Sequence, residues 1–88
     1  MSNRTFAFYS DAGHGWLEVP KALIKELGIA EEISGYSYER GLYVYLEEDC
    51  DFSVFARALP EKIGICADHY DTESRVRRYA PYEPACIA

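Results

Sequence analysis

Basic residues are scarce in this chain: nine lysines and arginines face fifteen aspartates and glutamates, a formal charge of −6. Holding nucleic acid by neutralising phosphates needs the opposite balance, so direct nucleic-acid binding is disfavoured. No apolar run is long enough to span a bilayer, and the N-terminus lacks an apolar signal core, so no membrane partner and a cytoplasmic setting are expected. Cysteine is sparse too, with Cys50, Cys66 and Cys86 at irregular spacing. Small secreted domains more often carry an even framework, so reduced thiols are expected and no disulfide should be needed for folding. Phosphate-cradling glycine loops, a dinucleotide fingerprint and a serine nucleophile elbow are all missing. Without them, catalysis is the lesser expectation.

What is present is an 88-residue chain that is 49% apolar. It reads as a single domain over 1–88, with a tail expected to fray from about residue 84. So small a core leaves a homodimer open. Arg4 to Tyr9 alternate as a strand, and Ser10 to Gly15 read as a loop. Trp16 to Val19 read as extended before Pro20, and Leu23, Ile24 and Leu27 recur at helical spacing up to Gly28. Residues 36–39 and 42–48 suggest a hairpin turning at Arg40-Gly41. That register sets Tyr38 opposite Tyr43 and Tyr36 opposite Tyr45, with Leu42, Val44 and Leu46 on the core face. Asp51 is placed as an N-cap for a helix whose core stripe is Phe52, Phe55, Ala56 and Leu59, ended by Pro60. Ile63, Ile65 and Ala67 alternate in a further strand, and a last strand is expected near Val76. The expected class is therefore α+β, a small antiparallel sheet with two short helices in a split βαβ, ferredoxin-like order.

Asp11, Gly13, His14 and Gly15 form the most distinctive cluster. An aspartate three residues before a histidine could orient it as a base, whereas the plain expectation is a turn whose aspartate bonds nearby amides. Cys66-x-x-His69 has spacing a metal could use, with Cys50 or Asp68 beside it, but structural zinc sites usually show two such pairs. Neither a metal nor any other cofactor is expected. The remaining features are the acidic run Glu47, Glu48, Asp49 and Asp51, and the tyrosines Tyr36, Tyr38, Tyr43 and Tyr45. Carboxylates can steer a basic partner and aromatic rings supply contact area, so these eight residues are the expected partner-binding surface.

Two resemblances add to this. Val19-Pro20-Lys21-Ala22-Leu23-Ile24-Lys25-Glu26-Leu27-Gly28-Ile29 resembles the proline-led helix of AbrB-type swapped-hairpin transcription factors. The whole chain resembles a small uncharacterised protein family of bacteriophages and mobile elements. That likeness lies in Phe8 to Trp16, Gly35 to Tyr38, Val44 to Asp51 and, more weakly, Arg78-Tyr79. It implies a setting inside a bacterial host cell and brings no catalytic residues. The leading expectation is a non-catalytic inhibitor of a basic host protein, such as a nucleic-acid-binding defence component, as anti-CRISPR and other anti-defence proteins are. An AbrB-like DNA-binding regulator and a small enzyme centred on Asp11 and His14 are the alternatives.

Overall fold

The computed structural model describes residues 3–87. The chain is an α+β domain: six strands form one mixed sheet in the order β5-β1-β2-β4-β3-β6, with two α-helices. The strands are β1 (Asn3–Ser10), β2 (Gly15–Pro20), β3 (Tyr38–Arg40), β4 (Tyr43–Glu47), β5 (Lys62–Tyr70) and β6 (Ala80–Pro81). The helices are α1 (Lys21–Leu27) and α2 (Asp51–Ala58).

The expected ferredoxin-like order is corrected at the start of the chain. β1 does not lead into a helix; it turns back and pairs antiparallel with β2 before α1 begins. Nor is the sheet wholly antiparallel, because the α2 crossover returns β5 alongside β1 in parallel. The expectation that the helices share one face holds. Leu23 and Ile24 of α1 and Phe55 of α2 join Phe6, Leu17, Val19, Val44 and Leu46 from the strands in one core. Phe55 is wholly buried and meets the Phe6 ring edge-on at 5.3 Å. Phe52 is half-buried against the same core, whereas Ala56 is exposed and leaves the expected stripe.

Local chemistry explains the ends of α1. Pro20 stands just before the helix, and Gly28 adopts a φ of 69°. The Gly28 N–H donates to the Lys25 carbonyl and the Ile29 N–H to the Ile24 carbonyl, the pair of bonds that closes a Schellman motif. Glycine also decides the hairpin. Gly41, with a φ of 58°, takes the first of the two loop positions, where a type II′ turn requires glycine. The loop is thus Gly41-Leu42, and Tyr38 lies opposite Tyr45 with Arg40 opposite Tyr43. This register is two residues from the expected one, so each paired side chain keeps its face. Leu42, expected in the core, sits in the turn and is 79% exposed. Tyr36 falls outside the strand altogether.

The last third of the chain corrects a further expectation. Val76 lies in a 3₁₀ turn, Arg75–Arg78, and is fully buried on the sheet face opposite the helices. There it packs with Trp16 and Tyr45, flanked by Tyr9, Tyr38 and Tyr79, as a second apolar cluster. The chain then rounds the β3 edge as β6 and places Tyr82 in the helix-side core. The Tyr82 N–H donates to the Ser37 carbonyl at 2.8 Å and its hydroxyl to the Ala30 carbonyl at 2.6 Å. Burial pushes that phenol up to about 12. Pro84–Cys86 form a 3₁₀ turn, and Cys86 and Ile87 rest against the core.

Truncating Phe55 to alanine should cost about 3–5 kcal/mol in chemical denaturation, since the ring is fully enclosed. Gly15→Ala should cost about 1–3 kcal/mol, because a Cβ there would run into the Phe8 ring.

Candidate functional site

The β1–β2 loop is built on Asp11. Its Oδ1 accepts the N–H groups of Gly13 and His14, both at 3.0 Å, and the Arg77 Nη2 at 2.9 Å. Its Oδ2 accepts the Ser74 N–H at 2.9 Å and the Arg77 Nε at 2.6 Å. These donors hold its carboxyl well below the ordinary aspartate value, the bidentate Arg77 contributing most. Asp11 therefore forms the plain turn and cannot orient the His14 ring, because its oxygens are engaged by other donors.

His14, Trp16, Gly35, Tyr36, Tyr38, Glu47, Asp49, Cys50 and Arg77 line a cavity of about 340 Å³. Pairing of β2 with β4 sets Trp16 opposite Glu47, and the Glu48 N–H donates to the Gly15 carbonyl at 3.0 Å. That pairing brings the β1–β2 loop against the β4–α2 turn. Segments 8–16, 35–38 and 44–51, far apart in sequence, all contribute to the walls. Arg77 closes one side, its guanidinium 5.3 Å from the Trp16 ring centroid.

The expected partner surface divides in two. Tyr36 is 73% exposed, and Tyr43, Glu48 and Asp49 are also open to solvent, with Tyr38 half-buried. Tyr45, Glu47 and Asp51 are buried and are withdrawn from it. Tyr45 packs in the second cluster and donates its hydroxyl to Glu18 at 2.9 Å. Glu47 is 6% exposed, and its Oε1 accepts the N–H groups of Asp49 and Cys50, both at 3.0 Å. Asp51 does not cap α2. Its carboxylate accepts the Ser34 N–H at 3.0 Å, the Ser34 hydroxyl at 2.8 Å and the Ser37 hydroxyl, fastening the 33–37 segment to the helix start.

The Cys50 and Cys86 thiols offer little nucleophilic character, burial pushing both up. Cys50 lines the cavity, but desolvation and the neighbouring Glu47 push its thiol up. Cys66 and His69 are exposed on β5, where His69 stacks on Tyr9 with centroids 4.6 Å apart. Among the described residues they join no cluster of three metal-donor side chains. The cluster that forms among the described residues is His14, Glu47 and Asp49, whose donor atoms lie within 4.8 Å of one another. Sequence reasoning missed that combination, since His14 stands more than thirty positions from the acidic run. Only the β2–β4 register brings them together. It missed Arg77 and Trp16 as cavity walls for the same reason.

No helix among the described residues is long and apolar enough to cross a membrane. Comparison with known proteins returns no matching family model, no similar curated protein and no similar solved structure.

Asp11→Asn should lower the melting temperature at pH 7, because the amide cannot accept all five donors. A carboxyl depressed on folding contributes stability that is complete above its unfolded value near pH 4 and is lost as pH falls towards the folded one. The gap between wild type and variant should therefore narrow on acidification from about pH 5 to pH 2 in thermal melts.

Proposed function

We propose that this chain is a non-catalytic binding protein of the phage and mobile-element kind, occupying a basic surface of a bacterial host protein as an anti-defence inhibitor. One observation carries the reading: the cavity mouth combines the exposed Tyr36 ring with the exposed Asp49, above the buried Glu47 carboxylate. Glu48 adds an exposed charge next to it. Exposed tyrosine supplies contact area at low entropic cost, and the carboxylates favour encounter with a basic partner. The net charge of −6 supports the same polarity of attraction. Engagement of Asp11 with Arg77 weighs against the alternative of a base at His14.

The test is affinity capture from bacterial lysate with wild type, Glu48→Lys and Tyr36→Ala, followed by kinetics on the captured protein at two salt concentrations. Glu48→Lys should slow association and flatten its salt dependence. Tyr36→Ala should shorten the lifetime of the complex, at a cost of about 1–2 kcal/mol, roughly ten-fold in affinity. Folded variants with unchanged rates and salt slope would reduce the acidic corner to a solvated face.

A further inference from the structure

We propose that His14, Glu47 and Asp49 bind one first-row divalent metal ion, with a nitrogen and carboxylate oxygens as ligands. The three residues come from the β1–β2 loop, the last position of β4 and the turn before α2. His14 Nδ1 lies 3.4 Å from Glu47 Oε2, and the donor atoms of all three fall within 4.8 Å of one another.

Glu47 is the telling member. Its Oε1 is fixed by two backbone N–H groups, whereas Oε2 lies beside His14 Nδ1. A buried carboxylate with a second carboxylate close by suffers like-charge repulsion, which a cation between them would relieve. The fixed cation of the same cavity does not relieve this, because Arg77 is held bidentate by Asp11. An independent observation lies in the same wall. Trp16 is 2% exposed and lines the cavity, yet its Nε1 has no acceptor among the described residues. A hydrated cation would answer both: it balances the carboxylates, and the outer-shell water that its bound waters hold brings an acceptor into the space that Trp16 borders. The cavity, at about 340 Å³, has room for such waters. The donor set selects the ion. Mg²⁺ and Ca²⁺ favour oxygen alone, while one imidazole with carboxylates suits Zn²⁺, Mn²⁺ or Fe²⁺.

Calorimetric titration of the whole chain with Zn²⁺ and with Mn²⁺, using Mg²⁺ as control, tests the site. Fluorescence of the single tryptophan gives a second readout, its ring centroid being 6.0 Å from that of His14. One Zn²⁺ or Mn²⁺ per chain is expected, with no saturable uptake of Mg²⁺ over the same range. Affinity should fall at least ten-fold in His14→Ala and in Asp49→Asn. Both side chains are exposed, so metal-free melting curves near that of the wild type are expected and guard against misfolding. Should Asp49→Asn nevertheless fail to fold, His14→Ala alone decides. Cys66→Ser/His69→Ala should bind like the wild type. The site is overturned if neither Zn²⁺ nor Mn²⁺ binds one to one, if His14→Ala leaves affinity unchanged, or if the loss follows Cys66 and His69 instead.

Discussion

The carboxylate of Asp11 holds together parts of the molecule that nothing else connects so directly. One buried side chain receives two amides from its own loop, one from Ser74 and two guanidinium bonds from Arg77. Charge-assisted bidentate pairs are directional, so they fix an orientation as well as a distance. Here they lay the segment from Ser74 to Tyr79 across the sheet. Arginines then settle over rings: Arg77 over Trp16, Arg75 over Tyr9 and Arg40 over Tyr79. Val76 is pressed against Trp16 and Tyr45 as a result. A face that would otherwise show aromatic rings to water becomes a second core.

A second polar node works on the helix side. Asp51, Ser34 and Ser37 share hydrogen bonds, and Ser37 also accepts the Glu47 N–H at 3.0 Å and offers its carbonyl to Tyr82. Buried polar groups are tolerated when satisfied, and a satisfied network allows few alternative packings. The cavity lies between these two nodes. Arg77 and His14 reach it from the Asp11 side, and Gly35, Tyr36 and Glu47 from the Asp51 side. Its walls are therefore held by bonds formed elsewhere in the fold.

The division of the acidic run follows from strand geometry. Glu47 is the final residue of β4, so its backbone is fixed by the sheet and its carboxylate turns inward to the next two amides. Glu48 and Asp49 stand in the turn and remain exposed, while Asp51 is drawn under the 33–37 segment. Consecutive like charges in sequence thus have three different environments, and only the turn positions present charge to solvent.

Local rules in the sequence sufficed for the elements whose signals are local. The helix from Lys21 to Leu27 was legible because proline starts it, glycine ends it and its apolar residues recur at helical spacing. The second helix and the burial of Phe55 were legible from the same periodicity. The α+β class follows from that order of elements. Tertiary structure alone decided the rest. Parallel pairing of β5 with β1 depends on a crossover, and no residue in either strand encodes its neighbour's direction. Asp51 looks like a helix cap until Ser34 and Ser37, distant in sequence, compete for its oxygens. The polar stretch after Asp68 suggests a strand near Val76, and its place in a 3₁₀ turn is settled by packing on Trp16 and Tyr45, both distant in sequence. For the same reason the recess was invisible: its walls come from four separated segments, and only folding makes them neighbours.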